Sequence, residues 1–169
     1  TLSGQLALWL MLAHAAWAQS SLAPIARSYL DRLSASVGET VHLAQLDNGQ
    51  VLYVDKRNAT RPIEMYSQAG KVGPAYCTGV GKAMLAYLDP ECRDAVIDQQ
   101  SFHVFTPRTI TTKVALLTEL AAIRAHGYAF DREEHEAEII CVAVPILLRG
   151  DKVLGALSVT SSTRRTNLA

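Results

Sequence analysis

The chain has 169 residues, 49% of them hydrophobic, with 16 basic and 16 acidic side chains that cancel to a formal net charge of zero. That length suffices for one domain with a real core, and the charge balance gives no electrostatic pointer to nucleic acid or an anionic membrane. Cys77, Cys92 and Cys141 lack CxxC spacing, which favours reduced thiols in a cytoplasmic protein over a disulfide framework.

Residues 2–19 are apolar nearly all round, with Leu6, Leu8, Trp9, Met11, Leu12 and Trp17 among them. They imitate a secretory signal down to the Ala-Trp-Ala before Gln19, but no basic segment leads them. Gln5 and His14 interrupt the run, which is short for a membrane span. A soluble helix covered by a second subunit is expected, and a start without Met suggests a fragment of a longer protein. Ser20 or Ser21 caps a second helix with Pro24 in its first turn. Its buried stripe is Leu22, Ile25, Ala26, Tyr29, Leu30 and Leu33, and Gly38 ends it. Asn48-Gly49, between strand-like residues 40–47 and 50–55, predicts a hairpin with a type I′ turn. Residues 63–67 read as a third strand between two polar loops.

Tyr76-Cys77-Thr78-Gly79-Val80-Gly81-Lys82 reads as a small-residue turn that opens into an apolar helix reaching Leu88, with Thr78 as N-cap. A short helix follows over 90–97. Residues 99–112 are irregular. Thr111 or Thr112 then starts a helix whose buried side is Val114, Leu117, Leu120, Ala121 and Ile123, with Gly127 as its stop. The last third reads as strands over 128–132, 139–148 and 152–161, and an acidic connection spans 133–138. Arg149-Gly150-Asp151 has the letters of an adhesion tripeptide but the chemistry of a tight turn, with glycine placed as in type II′.

A helix entry that exposes backbone amides suits a small anion; the plain alternative is an ordinary capped helix. Familiar nucleotide motifs do not fit. A P-loop needs glycine where Tyr76 stands and Ser or Thr where Ala83 stands, and Met84 occupies the third glycine of a dinucleotide fingerprint. Any anion held here is therefore expected to be a carboxylate. A two-residue turn at Gly150-Asp151 pairs Cys141 with Thr160, Ala143 with Ser158 and Pro145 with Ala156. Because strand side chains alternate, these six share one surface, and Ile140, Val142, Val144, Ile146, Leu157 and Val159 share the other. The bulky surface is expected to pack on helices. The small, partly polar one needs a cover, either a loop or a ligand, unless it is simply solvated around an inert cysteine. Asp131 ends the preceding strand, either as an acceptor for a ligand hydroxyl or as a turn residue. Catalytic patterns are weak. Cys141 with His103 or His135 is a candidate nucleophile and base. His135-Glu136 lacks the second histidine of a zinc-protease motif, since Ile139 stands there. Cys77, His103 and Cys141 have no metal-ligand spacing.

Thr78-Gly79-Val80-Gly81-Lys82-Ala83, Pro107-Arg108-Thr109-Ile110-Thr111, Gly127-Tyr128-Ala129, Asp131, Glu133-Glu134, Cys141-Val142-Ala143-Val144-Pro145-Ile146 and Gly155-Ala156-Leu157-Ser158-Val159 occur in this order. Each is weak singly, but the ordered set resembles the effector-binding domain of IclR-type bacterial transcription regulators, from about residue 20 to 163. The resemblance implies an α+β fold, GAF/profilin-like, with a central antiparallel sheet flanked by helices. It implies residues 1–19 as a linker and dimerisation helix and 20–169 as the effector domain. Operator DNA would be read by an N-terminal winged helix-turn-helix outside this chain, and the protein would be a homodimer or homotetramer. The implied function is sensing of a small carboxylate, a sugar acid or keto acid, without turnover, cofactor, metal or membrane, in a repressor of a catabolic operon. The amides of Gly79 and Val80 would contact the carboxylate. Asp131, Cys141, Ser158 and Thr160 would complete the polar shell, and Met65 would form an apolar wall. A space between helix tip and sheet large enough for a metabolite is implied too. Thr160 stands where serine is common, and Glu138 where glycine is common. Two rivals remain: a thiol-dependent enzyme on a GAF-like scaffold using Cys141, and a pure oligomerisation module.

Overall fold

The computed structural model describes residues 4–9, 11, 22–166 and 168. Residues 4–9 are helical and expose Leu6, Leu8 and Trp9; most of the predicted linker helix, with its caps at Ser20 or Ser21, lies outside the described residues. Helix α1 (Leu22–Val37) stops where Gly38 adopts φ +68° and donates its N–H to the Ser34 carbonyl, the left-handed stop for which glycine is suited. Its buried residues are Leu22, Ala23 and Leu30, whereas Ile25 and Tyr29 are exposed. The predicted stripe was too wide, because only one narrow face of α1 meets the sheet.

Strands β1 (Thr40–Asp47) and β2 (Gln50–Arg57) form the expected hairpin. Asn48 and Gly49 both take positive φ, as a type I′ turn demands. The predicted strand over 63–67 does not form. Those residues are irregular, and a two-residue β3 (Val72–Gly73) pairs with β2 instead. Helices α2 (Gly79–Leu85), α3 (Pro90–Asp98) and α4 (Lys113–His126) follow. α2 ends three residues before Leu88. Thr112 caps α4 by accepting from the Ala115 N–H, and Gly127 closes it at φ +86°. The buried side of α4 is Leu116, Leu120 and Ile123. Val114 is exposed, so the predicted stripe was rotated from the true one by a fraction of a turn.

β4 (Ala129–Arg132), β5 (Ile139–Leu147) and β6 (Val153–Ser162) complete one six-stranded antiparallel sheet of order β3-β2-β1-β6-β5-β4. The α+β architecture with helices flanking a central antiparallel sheet is therefore as expected. So is the register: Cys141 faces Thr160, Ala143 faces Ser158 and Pro145 faces Ala156. The turn differs. Gly150 and Asp151 both have positive φ, which type II′ does not allow. Leu147 pairs with Val153 and Ile146 with Gly155, so the loop is one residue longer than predicted. Leu154 is the extra residue that restores the register as a bulge.

The bulky surface of the sheet packs on a helix as expected, but the larger core lies on the small surface. Ala143 and Ala156 join the larger core, with Val80, Met84 and Leu85 of α2 and Leu116, Leu120 and Ile123 of α4. Among the described residues the bulky surface meets α1: Leu157, Val159 and Ile146 pack partly buried on Leu22, Leu30, Val41, Leu43 and Val54, and Val144 is exposed. Short side chains allow a helix backbone to approach the strands closely, so the small surface accepts the deeper layer.

Candidate functional site

The entry of α2 is the first half of the site. Thr78 occupies the N-cap position with extended backbone, but its side chain caps nothing. Its hydroxyl donates instead to the Pro74 carbonyl, 2.7 Å away, a correction to the expected cap. The first-turn amides of Gly79 and Val80 have no intrahelical acceptor, and none of the described hydrogen bonds takes them. A Cβ at Gly79 would fall well inside the contact radius of Cys141 Sγ, and one at Gly81 would strike the Ala75 backbone. Both positions need glycine for close approach to neighbouring chain, not for an unusual φ.

The second half is the small surface of the sheet. The structure brings all seven sequence-predicted residues, Met65, Gly79, Val80, Asp131, Cys141, Ser158 and Thr160, to the wall of one cavity. Its volume is about 30 Å³, room for one or two waters. That is smaller than the metabolite-sized space expected, because irregular residues 63–68 fold down over the sheet and bring Met65 and Ser67 into the wall. This strap is tied in three ways. Glu136 accepts from the Tyr66 N–H through both carboxylate oxygens, at 3.1 and 3.0 Å. Lys56 Nζ donates to the Ser67 carbonyl at 2.7 Å. The Ser67 hydroxyl meets His42 Nε2 at 2.8 Å.

His42, Tyr53, Ser67, Glu136 and Ile139 also line the cavity and are not among the sequence-predicted site residues, and His135, a candidate base for Cys141 in the sequence, lines it too. His42 had a legible signal, a polar residue between Val41 and Leu43 on a strand. What could not be read was that β1 pairs with β6 and sets His42 opposite Ser158. Its Nδ1 lies 3.3 Å from both Ser158 Oγ and Thr160 Oγ1. Burial, reinforced by Lys56, pulls the imidazole down to about 3, so it is neutral at pH 7.

Asp131 is buried, and its Oδ1 accepts the Glu134 N–H at 2.8 Å. Burial, then the Glu134 charge, pushes its carboxyl up to about 7. Glu134 in turn binds Lys82, a side chain with no exposure, at 2.5 and 2.7 Å, and Glu119 reaches the same ammonium at 3.1 Å. Burial raises the Glu134 carboxyl and Lys82 pulls it back down. The Thr109 hydroxyl donates to the Glu134 carbonyl, and Thr106 donates to the Glu133 carbonyl. The irregular segment before α4 thus holds the β4–β5 turn beneath the cavity.

Burial, then the Asp131 charge, pushes the Cys141 thiol up. It therefore lacks the thiolate that a nucleophile needs, and among the described hydrogen bonds none joins it to His103 or His135. Cys77 is buried in the core while His103 is exposed on the segment before α4. Among the described residues no three metal-ligating side chains converge, and no helix is long and apolar enough to cross a membrane.

Residues 14–168 match the family model described as the C-terminal part of the bacterial transcriptional regulator IclR. The chain is 34% identical over 142 residues to the HTH-type transcriptional regulator XynR of Escherichia coli, covering 84% of this chain and 56% of that protein. It thus spans little more than half the length of this relative. Among solved structures, the Thermotoga maritima IclR superposes with a TM-score of 0.87 at 31% identity, over 94% of this chain and 64% of that one. The inducer-binding domain of a double mutant of PobR from Acinetobacter, in complex with 3-hydroxybenzoic acid, superposes with a TM-score of 0.74 at 32% identity, over 86% and 85% of the two chains. On this family match and these relatives, the chain belongs to the IclR family of bacterial transcription regulators and corresponds to their C-terminal effector-binding domain.

Proposed function

We propose that this chain senses a small carboxylate for a cytoplasmic transcription regulator that represses a catabolic operon. Residues 1–19 would pair subunits into a homodimer or homotetramer, residues 20–169 would hold the effector, and operator DNA would be contacted by a winged helix-turn-helix of the longer protein. The supporting observation is the convergence, on one buried cavity, of two uncommitted amides (Gly79, Val80), two hydroxyls (Ser158, Thr160) and a carboxyl held near neutrality (Asp131).

An anion gains hydrogen bonds from the amides and hydroxyls, and the Glu136 carboxylate in the same wall is engaged by the Tyr66 N–H. A protonated Asp131 donates to it, and an ionised one accepts from a ligand hydroxyl, so an acid that also carries a hydroxyl uses both. The carboxylate occupies the space now open, and the rest of the ligand displaces the Met65 strap. Binding can move operator affinity only if it favours one quaternary arrangement over another. Cys141 contributes shape and a weak donor.

The experiment is calorimetry with a panel of keto acids, sugar acids and hydroxybenzoates on the unsubstituted chain, Gly79→Pro and Ser158→Ala. Losing one donor to a charged acceptor is expected to weaken binding by about ten- to a hundredfold. Unchanged affinity in both variants would rule out this cavity as the effector site.

A further inference from the structure

His42 touches three hydroxyl groups from two separate segments: Ser67 of the strap through Nε2, and Ser158 and Thr160 of β6 through Nδ1. It is 3% exposed and sits on the central strand pair of the sheet. A neutral imidazole has one N–H and one lone pair, so the two ring nitrogens take opposite roles. If Nε2 carries the proton, it donates to Ser67, and Nδ1 accepts a hydrogen bond from the hydroxyl of Ser158 or Thr160. That hydroxyl then shows the cavity only lone pairs. If Nδ1 carries the proton, both β6 hydroxyls keep theirs free to donate, and Ser67 turns its own toward Nε2.

We infer that His42 is a positioning residue that sets the hydrogen-bond polarity of the cavity: its Nδ1–H tautomer turns Ser158 and Thr160 into donors for a carboxylate and, through Nε2, fastens Ser67 of the strap. This rests on the carboxylate reading of the same cavity. Seating an anion on the β6 hydroxyls favours the Nδ1–H form. Water takes one proton from Nε2 and supplies one to Nδ1, so the ring stays neutral. Ser67 must then donate to Nε2, so the same event that arms the floor of the site locks its cover. Specificity follows from the ring: in the Nδ1–H form a ligand that brings an acceptor to β6 is favoured over a neutral one that brings a hydroxyl donor.

The test uses the full chain with 15N-labelled histidine at pH 7 and two probes, pyruvate and 3-hydroxybenzoate. Long-range proton–nitrogen correlation spectra report which ring nitrogen is protonated. Saturation with a probe that binds is expected to leave His42 as the Nδ1–H tautomer. An Nε2–H tautomer in the bound state would overturn the inference while leaving the carboxylate site standing. If neither probe binds, the carboxylate reading fails and this inference with it.

Two substitutions separate positioning from packing. The amide of His42→Asn falls near the Nδ1 position and that of His42→Gln near Nε2. His42→Asn is expected to bind carboxylates within about threefold of the unsubstituted chain, and His42→Gln to lose about tenfold or more. Equal losses in the two would mark His42 as merely structural and overturn the inference. Should either variant melt too early for calorimetry, the tautomer spectra of the unsubstituted chain decide.

Discussion

Two buried polar groups lie side by side in this domain, and they are built differently. In the first, Lys82, Glu134 and Glu119 pair charge with charge, and the Glu134 carbonyl and carboxylate are also hydrogen-bonded. In the second, His42, Ser158, Thr160 and Asp131 hold no ion pair among the described contacts, and burial pushes the one carboxyl toward neutrality. A buried charge cluster that satisfies itself has no use for a ligand; it fixes geometry. A neutral cluster of groups able both to donate and to accept is soft, and an added polar molecule can reorder it. The Glu134 N–H to Asp131 bond joins the rigid cluster to the adaptable one.

The contrast is broken most severely at Lys82. Lys82→Met leaves Glu134 buried without its cation and should cost about 3–5 kcal/mol in chemical denaturation. Replacing Glu134 by leucine in the same chain should recover much of that loss, because the uncompensated charge is gone. No recovery would mean that the cluster does more than neutralise itself.

The titration of the cavity sharpens the contrast next. Asp131 has a folded value above its unfolded one, so the native state binds the extra proton and stability falls as pH rises from about 4 to about 7. His42 has a folded value below its unfolded one, so stability rises with pH from about 3 to about 6.5. Between about pH 4 and 6.5 the two slopes oppose and nearly cancel. Asp131→Asn should therefore unmask a rising profile, and His42→Asn a falling one, each about 1.4 kcal/mol per pH unit at most. Urea denaturation across that range measures both. Parallel profiles in the two variants would show that neither group titrates as its burial requires.

Gly79→Ala forces a methyl group against Cys141 Sγ and should cost about 1–3 kcal/mol. Adding Cys141→Ala should return most of it, as judged by melting temperature. Glu136→Gln weakens the tie to the Tyr66 N–H and should cost under about 1 kcal/mol. Its clearer readout is several-fold faster amide exchange at Tyr66. The smallest effect belongs to Glu138, which holds φ +65°, a backbone conformation that favours glycine. Glu138→Gly removes left-handed strain but also the contact with Arg164, and should change stability by about 0.5 kcal/mol or less.

Much of the site was legible because strand alternation is strict. Once a turn at Gly150-Asp151 was placed, Cys141, Ser158 and Thr160 had to share a surface, and a mistake of one residue in the loop was absorbed by the bulge at Leu154. Met65 came from the family resemblance, whereas the α2 amides were legible in the small-residue turn that opens the helix; all three residues line the cavity. The third strand over 63–67 was a wrong reading of a short apolar run. Residues 63–68 are held by Glu136, Lys56 and His42, partners far away in sequence, rather than by a neighbouring strand. The helix stripes of α1 and α4 were misjudged for a related reason: periodicity shows that a helix has an apolar side, but the width of the buried strip depends on what it packs against.

The sequence by itself determined the two hairpins, the glycine stops at Gly38 and Gly127, and which side chains of β5 and β6 look the same way, because turn chemistry and a period of two are local; the α+β class came through the family resemblance. Only the tertiary structure decided that β1 lies against β6, that α2 descends onto the small side of the sheet, and that His42 sits between strap and floor. Those arrangements are contacts between distant segments, chosen by how closely a glycine-lightened helix end can approach short side chains, and no local pattern carries that distance.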